Sequence, residues 1–176
     1  MVKTKAKKAQ IMGQIFIYIM AAIIFSLVLL YGYTAISDFI NRADQVAEIE
    51  LRTDLKASIK STASSQDVKQ KVISIPSKFK EICFIDLDIQ NHHGITAEQT
   101  AMCDSTSPDF NALICNFWTT GAQNNVFLIP GAEVSIDVGN IDLDTKGFLC
   151  VKTSEGKAKL RLEGKGDRTK ISEWPS

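Results

Sequence analysis

No Asp, Glu, Lys or Arg occurs between Lys8 and Asp38, an uncharged run of 29 residues from Ala9 to Ser37. Its densest part reads IFIYIMAAIIFSLVLLYGY, from Ile15 to Tyr33. A helix needs about 20 apolar residues to cross a hydrocarbon core of about 30 Å, so this segment is long enough. It carries no polar stripe of the kind a soluble core helix keeps. It is also longer than the apolar core of a secretory signal, and TAISDFINRAD follows it in place of a small-residue cleavage site. The run therefore predicts an uncleaved membrane anchor.

The zero net charge of the 176 residues hides an asymmetry. Residues 1–10 hold Lys3, Lys5, Lys7 and Lys8 and no acid, whereas the remainder holds 16 basic against 20 acidic residues. Basic residues beside a span stay on the cytoplasmic side. The N-terminus is thus expected in the cytoplasm and everything after about Thr34 outside. The outer part is mildly acidic, which argues against nucleic acid as a partner, because phosphate binding needs a basic surface. All four cysteines (Cys83, Cys103, Cys115, Cys150) lie in that outer part. An even number in an oxidising compartment predicts two disulfides. Three pairings exist. Cys83 with Cys150 is favoured because both sit in strand-like runs, leaving Cys103 with Cys115 to close a short loop. Zinc is disfavoured because no CxxC pair exists.

Helical patterning continues beyond the anchor. From Ser37 to Ser61 there is no Gly or Pro. Phe39, Ala43, Val46, Ile49 or Ala47, then Leu51, Leu55 and Ile59 recur at spacings that mark one helix face. Asp44, Glu48, Asp54, Lys56 and Lys60 occupy the other. After STASSQ the period changes to two. Strands are expected over 67–75, 80–89, 126–129, 133–138, 147–153, 157–163 and 169–174, mostly antiparallel, with a hairpin over Phe148–Leu162 and a tight connection at 163–167. A short helix is expected over 108–118, with Ser107 as cap and Pro108 in the first turn. The fold class is thus α+β: a long N-terminal transmembrane and amphipathic helix followed by a small, mostly antiparallel β head. The expected divisions are a cytoplasmic basic leader (1–10), a transmembrane helix (11–36), an amphipathic extracytoplasmic helix (37–64) and an extracytoplasmic β-rich domain with two disulfides (65–176).

Chemistry-bearing motifs are weak. His92 and His93 follow Asp86 and Asp88 in DLDIQNHHG, yet a solvated turn before Gly94 accounts for them, since adjacent side chains on an extended chain diverge. Asn140, Asp142 and Asp144 in NIDLDTKG fail as a calcium loop: Lys146 stands where an oxygen ligand is needed and no Glu follows at the twelfth position. Alternating acids on an exposed strand face are the better reading. No GxSxG, Gly-rich phosphate loop or HExxH occurs. The expectation is no enzyme, no cofactor and no metal.

The junction KKAQIMGQIFIY, Lys7 to Tyr18, resembles the class III signal of archaeal type IV pilin-like proteins. That resemblance implies a leader cut between Ala9 and Gln10, with the apolar helix left on the mature chain. It further implies helices packed together in a filament core, followed by β-rich heads with disulfides. The family usually carries Glu at the fifth mature position and often Ser at the third; here these are Gln14 and Met12. Gln14, Phe39, Ala43, Val46, Leu55 and Ile59 are candidate helix–helix contacts, and the stripe from Phe39 to Ile59 must be covered either by the β head folding back onto it or by neighbouring helices. The expected partners are the lipid bilayer and, through the helix, other copies or other membrane-anchored surface proteins. The reading that follows is a membrane-anchored structural protein of a surface filament or its assembly machinery. A permanently tethered binding domain is the alternative.

Overall fold

The computed structural model describes residues 6–130 and 135–174, with side chains described from residue 15 onward except Asn41. Lys3 and Lys5, the side chains of Lys7, Lys8, Ala9, Gln10, Met12 and Gln14, and residues 133–134 of the expected strand at 133–138 lie outside the described residues. The architecture is α+β, a long apolar N-terminal helix followed by a mostly antiparallel β domain. The chain divides into two compact units, residues 1–45 and 46–176.

Helix α1 spans Ala6–Ser65. In the first unit it is the one described element, and from Ile15 it is long and apolar enough, by length and composition, to cross a membrane. In the second unit its residues 46–65 belong to the β domain. There Leu51, Leu55, Ile59 and Thr62, spaced by four, four and three, are all buried. Of the two covers open to Leu55 and Ile59, neighbouring helices or the β head, the structure shows the head: both pack in the core of the chain's own sheets, which supply an apolar surface at the matching period.

Among the described residues eight strands follow: β1 (Val68–Ser74), β2 (Glu81–Ile85), β3 (Val126–Ile129), β4 (Ser135–Ile136), β5 (Ile141–Asp142), β6 (Phe148–Lys152), β7 (Lys157–Gly164) and β8 (Thr169–Glu173). They form two four-stranded sheets, ordered β1-β7-β8-β5 and β4-β3-β2-β6. All pairings are antiparallel except β5 with β8. Strand β7 alternates exposed and buried residues, as one face meets water. Strand β2 is buried at four successive positions, because its sheet is covered on both sides. Ile82 and Phe84 face the core shared with α1 and the first sheet, along with Val126 and Leu128 of β3. Cys83, Ile85 and Phe127 face a second core made with Ile89, Met102, Ile114 and Trp118.

The second core is roofed by two short helices, α2 (Ile89–His93) and α3 (Ala112–Thr119). Helix α3 begins four residues later than the sequence suggests, and Ser107 and Pro108 stay outside it. Asn111 is the cap, its side-chain oxygen accepting from the N–H groups of Leu113 and Ile114. The expected 148–162 hairpin also differs. A lone bridge joins Ser154 and Lys157, but β6 pairs with β2 and β7 pairs with β1 and β8. The chain changes sheets at this turn, so neighbours in sequence enter different layers. The 163–167 connection does form a turn, between β7 and β8.

That turn also closes α1. Gly166 N–H donates to Ala63 O at 2.8 Å, and Gln66 leaves the helix with φ +54°, so carbonyls of the last turn gain partners. Gly164 passes so close that a Cβ there would lie 2.1 Å from Thr62 O. Thr169 Oγ1 donates to Ile59 O at 2.8 Å, both buried.

Candidate functional site

The first candidate is the surface of α1 in the first unit. No side chain described between Ile15 and Ile40 is buried, and Tyr31 is 73% exposed. Apolar residues occupy every face of this helix, not one stripe. Two of its hydroxyls bond to the helix itself: Ser26 Oγ donates to Ala22 O at 2.8 Å and Thr34 Oγ1 to Tyr31 O at 2.9 Å. Such back-bonding lets a hydroxyl sit among apolar groups without losing its hydrogen bond. Phe39 and Ala43, expected contact positions, are exposed. In the second unit Val46 is 62% exposed.

A second candidate lies in the head. Asp86 directly follows β2, and its N–H donates to Gly147 O at 2.8 Å. Asp86 Oδ1 accepts from Asp88 N–H at 2.9 Å, a tight turn that leads into α2. His93 is the last residue of α2, which Gly94 ends in the left-handed region. Asp142 belongs to β5, and its Oδ1 accepts from Asp144 N–H at 2.9 Å. That oxygen is also 3.2 Å from His93 Nε2. One donor atom from each of Asp86, His93 and Asp142 lies within 4.8 Å of the others. Gly147 holds the pieces together: its φ is +69°, and a Cβ there would meet Ile89 Cδ1 of α2 at 2.2 Å.

The electrostatics are uneven. Asp86 is 1% exposed. Burial, helped by the neighbouring Asp142 carboxylate, pushes its carboxyl above the ordinary range, against the opposing pull of the Asp88 N–H, His92 and the Leu143 N–H. Burial works against the charge on Asp142 too, but the Asp144 N–H, His93 and Lys170 outweigh it and hold that carboxyl low. Asp86 Oδ2 is buried and has no hydrogen-bond partner, and neither has His92 Nδ1. Nearby positive charge is already engaged: Arg168 is paired with Asp167 and Lys170 with Asp144.

Both sequence readings of these motifs are therefore corrected. His93 is half-buried on a helix end and not in a solvated loop. Asp142 is half-buried beside it and not on an exposed strand face. The two motifs were visible separately. Their meeting was not, because 49 residues separate His93 from Asp142.

Two further features of the head bear on its chemistry. Glu81, Cys83 and Cys150 also cluster, but both sulfurs are consumed by the Cys83–Cys150 disulfide, and Cys103 is joined to Cys115. A recess of about 270 Å³ is lined by Asp86, Asp88, Gln123, Asn125, Asp137 and Asn140 among others. Its walls are mostly polar, unlike the apolar pockets that take small organic ligands. No known family model, curated protein or solved structure matches this chain.

Proposed function

We propose that the chain is a single-pass membrane-anchored, extracytoplasmic structural protein, a pilin-like subunit of a surface filament or of its assembly machinery. The observation that carries the reading is the all-round apolar surface of α1 between Ile15 and Tyr33. These 19 residues extend about 28 Å at 1.5 Å per residue, close to the hydrocarbon thickness. A helix apolar on every face suits a bilayer, or a ring of other helices, and not water. The lysines at 3, 5, 7 and 8 place the N-terminus in the cytoplasm. The two disulfides agree with a head in an oxidising compartment. The head acts as a rigid structural domain rather than an enzyme, and lipid and copies of the same helix are its partners.

The filament form of this reading depends on leader removal. Four lysines cost several kcal/mol each to draw into hydrocarbon, so a subunit must lose them before its helix can leave the bilayer. Processing before Gln10 achieves this. The amide of Gln14 then takes its hydrogen bond from a neighbouring helix in place of the usual ion pair. The test is the N-terminal residue of protein isolated from native membranes, read by mass spectrometry. A chain starting at Gln10, with processing blocked by a bulky residue at Ala9, supports the filament subunit. Retained Lys3–Lys8 overturns it and leaves the tethered binding domain.

A further inference from the structure

We infer that Asp86, His93 and Asp142 form a binding site for one divalent transition cation of the Zn²⁺ class, which ties the two sheets of the head together. The three residues come from three separate segments: the end of β2 in one sheet, the end of α2, and β5 at the edge of the other sheet. One tight turn and α2 join Asp86 to His93, whereas nothing in local chain geometry requires Asp142, 49 positions beyond His93, to meet them. They nevertheless bring an imidazole nitrogen and two carboxylates within 4.8 Å of one another, all at least half-buried.

The donor spacing suits an ion. Two donors about 2.0–2.1 Å from a tetrahedral cation stand about 3.3 Å apart, and His93 Nε2 and Asp142 Oδ1 are 3.2 Å apart. Ligation by both atoms therefore leaves their separation almost unchanged, the cation taking the place of the hydrogen bond between them. The independent pointer is Asp86. Its Oδ2 is buried in a residue 1% exposed and has no hydrogen-bond partner. An unpartnered buried carboxylate oxygen is costly, and Arg168 and Lys170, the positive side chains nearby, are committed to Asp167 and Asp144. A cation held among the three residues gives the buried Asp86 carboxylate a positive partner.

The donor set also selects the ion. Calcium and magnesium prefer all-oxygen shells of six or more ligands, whereas an imidazole with carboxylates suits zinc and its neighbours. Two carboxylates and a neutral imidazole balance a 2+ charge. Three protein ligands leave one position for water or for an outside donor.

The test uses full-length protein in detergent micelles, stripped with chelator and re-equilibrated with Zn²⁺, Co²⁺, Ca²⁺ or Mg²⁺. The expected result is one equivalent of Zn²⁺ retained after desalting, a higher unfolding temperature with Zn²⁺ but not with Ca²⁺ or Mg²⁺, and visible d–d absorption with Co²⁺. His93→Gln is expected to weaken Zn²⁺ binding at least about 100-fold, since even supporting residues at metal sites are worth 10–100-fold. Asp109→Asn, an exposed acid elsewhere, is expected to change nothing. No retained Zn²⁺ at 100 µM and no Co²⁺ absorption in the unmutated protein overturn the proposal, and so does undiminished binding in His93→Gln. The Co²⁺ spectrum of the unmutated protein reports nitrogen and oxygen ligation directly, so a variant that fails to fold leaves the proposal falsifiable.

Discussion

Leu55 and Val46 stand nine positions apart on the same helix, yet one is 0% exposed and the other 62%. Leu55→Ala opens a cavity between α1 and both sheets and is expected to cost about 2–5 kcal/mol. Val46→Asp changes an exposed position and is expected to leave head stability within about 0.5 kcal/mol. Denaturant titration followed by the fluorescence of buried Trp118 compares the two directly. Gly164 is a residue of the opposite kind, whose importance lies in having no side chain. Its approach to Thr62 O and Gln66 N leaves no room for a methyl group, and both neighbours are backbone that cannot swing away. Gly164→Ala is expected to destabilise the head by about 1–3 kcal/mol or more, the scale of overpacking, read in the same titration.

At the level of elements, the disulfides and one ion pair do different work. Cys83–Cys150 joins β2 to β6 directly across the ladder at a sequence separation of 67; Cys103–Cys115 has a separation of 12. On the chain-entropy account the longer closure contributes about 4.4 kcal/mol and the shorter about 2.8 kcal/mol. Replacing each pair by alanines is expected to lower stability in that order, with the larger loss at 83 and 150, where a buried sulfur is also removed. Reversal of the order in unfolding experiments refutes the account. Lys56 of α1 meets Asp137, after β4, at 3.1 Å. The Gly139 N–H and then Lys56 hold the Asp137 carboxyl below its ordinary range, against slight burial. The folded state therefore binds this proton less tightly than the unfolded chain. Its contribution is present above pH about 4 and is lost as pH falls through the folded value. Asp137→Asn is expected to remove that part of the acid-side loss. The effect is under about 1 kcal/mol because the pair is half-exposed, and stability curves at pH 3 and pH 7 measure it.

For the whole molecule, the proposed anchoring makes a prediction about access. After reduction, Cys103 and Cys115, which are half-buried, are expected to react with an impermeant thiol reagent on intact cells, whereas Cys83 is fully buried. Labelling only after lysis refutes the outward placement of the head. Under the filament reading, Val46→Asp has a second expected outcome: unchanged folding with reduced self-association in native membranes, scored by crosslinking.

The sequence by itself determined the elements whose signal is local. The uncharged run to Ser37, the helical spacing of Leu51, Leu55 and Ile59, and the alternation in 157–163 each depend on residues within a few turns or pleats of one another. Helix α1 and strand β7 lie where those periods put them. Tertiary structure decided what each surface meets. Within residues 46–65 the apolar positions divide, Val46 and Ile49 being exposed and Leu51, Leu55 and Ile59 buried, because burial depends on which side chains the sheets of that unit meet and not on the helical period alone. The turn at Ser154–Lys157 separates two sheets instead of closing a hairpin, because β2 and β1 offer the longer ladders. The meeting of Asp86, His93 and Asp142 belongs to the same class. Two short polar motifs, one holding Asp86 and His93 and the other Asp142, each most simply read as solvated, were brought together across dozens of residues, and no local pattern encodes a distance of that kind.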